Sequence, residues 1–310
     1  MLTLASATGA LAAVAEHAGH ASAVVAPPRT AGGTAIARHE ASHGRMPEFA
    51  PDAGAPESPR VSTAAAESLP NQSIEPPRVS LPGERGTCAA DMLYVHGNFC
   101  PLAEQRCLEW DLAGRERCIH FRRPSRCLDR RRALSFCMDR YEWPNHPGEP
   151  PLAMTSWADA SRACRSIGKR LCGEWEWVFA CEGEEMLPYP YGFDRDPDAC
   201  TIDHYAQAPR RWLLGSGDPD IARAEAARIY EATPSGANSR CVSPFGVFDL
   251  TGNVDEWTVS HTGMPYRSTL QGGWWGRVRT RCRPVTRSHF EQFRYFNIGF
   301  RCCGNVPATS

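Results

Sequence analysis

No cysteine occurs before Cys88, no tryptophan before Trp110, and the first 87 residues hold a single aromatic side chain, Phe49. A segment so poor in large apolar groups cannot offset the entropy of ordering its backbone. Residues 24–87, dominated by Ala, Pro, Ser and Gly ("VVAPPRTAGGTA", "PDAGAPESPRVSTAAAESLP"), are therefore expected to be a disordered linker. Long hydrophobic runs are missing as well. Residues 1–23, "MLTLASATGALAAVAEHAGHASA", are too interrupted by Gly, Ser and Thr to span a bilayer. They end in an A-x-A-like pattern, Ala21–Ala23, but lack the basic start of a secretion signal, so they read as a weak signal-like leader. No sign of charge dominates. With 34 basic and 35 acidic residues the net charge is −1, and nothing in it suggests nucleic-acid or membrane-surface binding.

The spacing CxxC is also absent, and the only close cysteine pair is the adjacent Cys302 and Cys303. Zinc-ribbon geometry is thereby disfavoured. What is present is an even count of 14 cysteines, all after residue 87, with six of them in residues 88–137. Dense, even cysteines in a folded region point to disulfides and an oxidising compartment, hence to an exported, soluble protein. "HEASH", His39 to His43, matches a zinc-protease pattern by letter. That chemistry needs both histidines on one face of a packed helix, and the motif lies in the linker, so it is set aside.

From Cys88 onward, short apolar runs alternate with Gly, Pro and Asn turns, which predicts an α+β domain with little regular secondary structure over residues 88–305. Residues 88–137 read as a Cys-rich N-terminal decoration that could carry a recognition role. "DMLYVHGNF" predicts a strand. "SWADASRACRSIG" predicts a helix, with Ser156 as N-cap, Asp159 in the first turn and Gly168 as the stop. "GEWEWVFAC" predicts a second short helix, and residues 221–232 ("IARAEAARIYEA") a helix on an insertion.

Six stretches, in order, carry a family resemblance: "DMLYVHGNFCP", "FCMDRYEWPN", "SWADASRACRSIGKRLCGEWEWVFAC", "YPYG", "SPFGVFDLTGNVDEWT" and "GGWW…RCRPVTR…NIGFRC". Together they resemble the formylglycine-generating enzyme, or sulfatase-modifying factor, family across residues 90–303. The resemblance implies a C-type-lectin-like fold with bound calcium. It also implies, for active members, oxidation of a protein cysteine to formylglycine by copper(I) and oxygen. Copper(I) is soft and sits on two thiolates.

Carried over residue by residue, the resemblance places calcium on Asn253, Val254 and Glu256, an oxygen-only set suited to a hard cation. Thr201 stands where a second calcium position has Asn. The resemblance pairs Cys164 with Cys302, and Cys181 with Cys282 as a displaced bridge, because Cys282 lies two residues before the usual partner position, Pro284. Cys172 is a candidate partner for Cys303. The catalytic positions depart from the family. Trp274 replaces the serine after the glycine pair, and "GRVRT" (276–280) lacks both copper-binding cysteines, so copper is not expected.

Two readings remain for Cys282. Its neighbours Arg279, Arg281 and Arg283 would favour a catalytic thiolate, whereas parity and an available partner favour a disulfide. Trp274, Trp275, Arg277, Arg279, Arg281 and Arg287 fall where the family binds its peptide, and Trp/Arg clusters recognise carboxylates and peptide segments. The alternative is that the tryptophans fill core and the arginines pair with Glu174, Glu176 and Glu256. The lead expectation is a non-catalytic protein binding a peptide, protein or other ligand in that groove. The competing expectation is a divergent oxidase with a metal site drawn from residues such as His261 and His289.

Overall fold

The computed structural model describes residues 88–111 and 117–307. The leader, the linker and the His39–His43 motif lie outside them. In chain order the elements are β1 (Met92–Phe99), β2 (Ala103–Glu104), β3 (Cys107–Trp110), β4 (Cys118–Phe121), β5 (Arg126–Cys127), β6 (Arg132–Asp139), α1 (Trp157–Ser166), β7 (Arg170–Leu171), α2 (Glu174–Glu182), α3 (Arg211–Leu214), α4 (Pro219–Arg228), β8 (Asp255–Val259), β9 (Ser268–Gln271), β10 (Val285–Thr286), β11 (Ile298–Phe300) and β12 (Cys302–Gly304). Most are short, and irregular chain joins them, as expected of an α+β domain of this composition.

Two four-stranded sheets organise the domain, in the orders β1-β6-β12-β7 and β10-β9-β8-β11. In the first, β1 and β6 pair antiparallel with Val95 opposite Phe136. Val95, Phe99, Phe136 and Met138 pack with Trp177 and Phe179 of α2. β1 and β6, at the two ends of residues 88–137, thus supply a wall of the main core. The segment between them forms two small hairpin pairings, β2 with β5 and β3 with β4. In the second sheet β8 and β11 run parallel, with Asp255 beside Ile298.

The helix at 157–166 follows from its sequence. Ser156 accepts the Asp159 N–H at 3.1 Å as N-cap. Trp157, Ala160, Ser161 and Cys164 are buried at the i, i+3, i+4, i+7 spacing. Ile167 is the C-cap, and Gly168 takes φ +75°, the left-handed turn that favours glycine. The predicted helix at 221–232 is shifted. It starts from the Asp218 N-cap with Pro219 at its first turn and ends at Arg228. Ile229 turns inward instead and is fully buried with Val254, Trp275 and Phe296, a packing gain that ends the helix early.

Candidate functional site

β9 ends at Gln271, and the chain then turns through Gly272 (φ +88°) and Gly273 (φ +78°). A Cβ on Gly273 would lie 2.7 Å from the Thr280 side chain, so the turn closes only with glycine there. The turn drives Trp275 into the interior. Its backbone N–H donates to the Asn253 carbonyl (3.1 Å) and its backbone carbonyl accepts from His204 N–H (2.9 Å). Trp274, half-buried, meets Trp275 and Phe296 edge-on, with ring centroids 5.3 and 5.6 Å away.

The six side chains expected to line a ligand groove are not gathered in one. Trp275 is core. Arg277 is exposed over the Tyr205 ring, 3.9 Å from its centroid. Arg279 turns to Asp255, with two contacts of 3.2 Å. Arg281 lies over the Phe121 ring. Arg287 grips Glu174, and both line a groove of about 340 Å³ with Trp175, His261 and Arg132. The packing alternative thus describes Trp275, Arg279 and Arg287. Of the acids named for it, Glu174 takes Arg287, while Glu176 pairs with Arg170 and Glu256 with Arg301. Arg283 is bidentate on buried Glu182, whose carboxyl burial pushes up to about 7 against the pull of Arg283.

Cys282 is fully buried and bonded to Cys181, with Cα atoms 5.5 Å apart. Cys164 bonds Cys302 and Cys172 bonds Cys303. The other bridges are Cys88–Cys137, Cys100–Cys127, Cys107–Cys118 and Cys200–Cys241, which leaves no free cysteine. His261 lies 3.0 Å from Glu174 and stacks on Trp175. His289 stacks on Phe293, centroids 4.0 Å apart, and burial holds it below its ordinary value. Among the described residues, no three His, Cys, Asp or Glu side chains are placed to hold a metal by themselves.

Around Asn253, however, buried charge accumulates. Asn253 takes φ +55°, its Oδ1 accepts the Thr233 N–H (2.9 Å), and its Nδ2 donates to Glu142 (2.6 Å). Glu142 also accepts from Val254 N–H at 3.2 Å. Glu256 is bidentate on Arg301 at 2.6 and 2.8 Å and takes the Trp177 indole N–H at 2.9 Å. Asp249 accepts the Gly236 N–H at 2.7 Å. Glu142, Asp249 and Glu256 are each at most 1% exposed, and Arg301 is the guanidinium ion-paired among them. Burial first, then the charges of Asp249 and Glu256, pushes Glu142 well above the usual carboxylate range, and burial pushes Asp249 to about 6. The oxygens of Glu142 and Glu256 are taken up by Asn253 Nδ2, the Val254 N–H, Arg301 and the Trp177 indole, so internal donors hold this buried cluster together. Glu142, Asp249 and Arg301 were missed in the sequence, although "YEW", "FDL" and "GFR" place a charged residue inside an apolar run. Thr201 packs against the same turn. Its carbonyl accepts the Asn253 N–H (2.9 Å) and its hydroxyl meets Thr233 and Asn238.

The family profile of the sulfatase-modifying factor enzyme 1-like domain matches residues 132–306. The inactive C-alpha-formylglycine-generating enzyme 2 of Mus musculus is 30% identical over 168 residues, covering 51% of this chain and 50% of that protein. The formylglycine-generating enzyme of Mus musculus is 29% identical over 185 residues, covering 53% and 47%. The chain therefore spans about half the length of the curated relatives it matches. Among solved structures, CarF superposes with a TM-score of 0.47 at 14% identity, over 70% of this chain and 98% of that one.

Proposed function

Because the chain belongs to the sulfatase-modifying factor enzyme 1-like family, we propose that it is an exported, non-catalytic member whose folded domain binds a peptide, protein or other ligand. The observation that carries this reading is the Cys181–Cys282 disulfide. In active relatives, as the resemblance implies, copper(I) sits on two thiolates beside the arginine-rich strand. Here residues 276–280 contain no cysteine, and the next one in the chain, Cys282, is buried and bonded. A disulfide sulfur is neither the nucleophile nor the metal ligand that a thiolate is. Relatives that are themselves named inactive support the same reading. Export is supported by seven disulfides in one domain. No helix among the described residues is long and apolar enough to cross a membrane.

Calcium is part of the proposal. Asn253, Val254 and Glu256 would hold it, as the resemblance implies. Bound there, the ion supplies charge neutralisation for the buried carboxylates and no redox chemistry. The divergent-oxidase alternative draws on His261 and His289, both of which are engaged by ring stacking.

The test is a free-thiol count, metal analysis and oxygen consumption on the oxidatively folded protein mixed with a cysteine-containing peptide. The expected result is no reactive thiol, no retained copper and no oxidised peptide. Stoichiometric copper together with an alkylatable Cys282 would overturn the reading.

A further inference from the structure

A cavity of about 940 Å³ has none of the Trp274–Arg287 segment in its lining. Its walls are the chain at 152–155, α1, the α3–α4 hairpin and the loop reaching Tyr295, with Phe300 behind. The interior is mostly apolar, and three guanidinium groups stand around it: Arg211 on α3, Arg223 on α4 and Arg294 on the loop. Resting on the ligand-binding reading above, we propose that this groove binds a polypeptide, in the form of an extended segment whose apolar side chain is flanked by carboxylates.

Charge complementarity selects that occupant. Arg211 has no ion pair among the described residues. Arg223 has only Asp220, an 84% exposed neighbour on its own helix, and Arg294 reaches Asp159 at no closer than 3.8 Å. Such exposed pairs are weak and readily exchanged. Asp159 is the one acid in the lining, and it is already engaged by Ser156 at 2.5 Å and by Arg162. Planar guanidinium forks on three different elements suit several carboxylates spaced along a chain. A fatty acid, with a single headgroup, would engage one of them.

The apolar part is also unusual for a surface. Leu152 in the groove is 49% exposed. Arg and Tyr beside apolar side chains in one pocket match the enrichment of binding hot spots. The wall is held in place without a ligand. Glu225 accepts the Arg210 N–H (2.8 Å) and pairs with Arg228, which fastens α3 to α4. The Tyr230 hydroxyl donates to the Pro151 carbonyl (2.6 Å) and ties the end of α4 to the opposite wall. A groove preformed in this way lowers the ordering cost of binding.

The experiment is selection of displayed short random peptides on the full oxidised chain, followed by fluorescence anisotropy of labelled winners. Two variants are compared, Arg211→Glu/Arg294→Glu and Leu152→Glu. All three positions are exposed, and both variants should keep the wild-type unfolding midpoint and show no reactive thiol. The expected winners carry an aromatic or aliphatic residue beside two or more Asp or Glu. Their affinity should fall about tenfold or more in each variant and weaken with added salt. Winners that bind both variants as well as wild type would overturn the groove while leaving peptide binding standing. No winners at all would overturn both. Displacement of the peptide by a fluorescent fatty acid that needs only one of the arginines would reassign the groove to a lipid. Self-association lost in both variants would reassign it to a second copy of the chain.

Discussion

At Glu174 two forces oppose each other. Burial alone would raise its carboxyl, but hydrogen bonds from Arg287 and His261 outweigh that and hold it below the ordinary value of 4.5. A carboxylate whose folded value is depressed contributes stability that is complete above 4.5 and is lost as pH falls through the depressed value. Glu174→Gln is expected to cost about 1–2 kcal/mol at neutral pH, a moderate figure because Arg287 remains 30% exposed. That difference should close on acidification. Urea unfolding of both proteins between neutral pH and the acid limb measures it, and a difference that persists unchanged at low pH would refute the assignment. The sequence named Glu174 as a possible partner for the arginines. It could not say which arginine, because Arg287 lies 113 residues away and reaches it only through packing.

At the scale of elements, the turn that leads into β8 concentrates the charge problem. Helix α1 needed only local signals, namely a cap, an apolar stripe and a glycine stop. The Asn253 turn depends on Glu142, 111 residues earlier, and Glu256 of β8 on Arg301 beyond β11. Calcium held by Asn253, Val254 and Glu256 is expected to stabilise the domain. At a hundredfold excess over its dissociation constant, a ligand that binds only the folded state adds about 2.7 kcal/mol, or about 5 °C or more in the midpoint of a domain this size. Thermal unfolding with calcium, with magnesium and with a chelator checks this. Glu256→Gln should remove most of the calcium response. Equal midpoints under all three conditions would exclude the ion from this turn.

For the molecule as a whole, the adjacent Cys302 and Cys303 join two of its hydrophobic clusters. Side chains alternate across a strand, so the two cysteines face opposite ways from β12. Cys302 bonds Cys164 of α1 within the core of Trp157, Trp257 and Phe300. Cys303 bonds Cys172 before α2 within the core of Phe136, Trp177 and Phe179. The first bridge spans 138 residues, and long loops lose the most unfolded-state entropy when closed. Replacing Cys164 and Cys302 together by Ala is expected to cost about 2–5 kcal/mol. Denaturant unfolding of the double variant reads this directly, and an unchanged midpoint would show that the bridge is not a stabilising link.

By itself the sequence determined what depends on neighbours within a few residues: helix α1, the left-handed turn at Gly168, and the lack of any cysteine between Gly276 and Thr280. It also placed all fourteen cysteines in the folded part, where parity pointed to disulfides. Tertiary structure alone decided that Trp275 is core, that Arg279 and Arg287 are spent on internal acids, that Arg301 is buried against Glu256, and that an open apolar groove lies beside α3 and α4. Local rules act through backbone geometry over a turn or two. Burial and charge pairing act between groups that only the packed chain brings together, and those contacts decide which side chains stay available to a ligand.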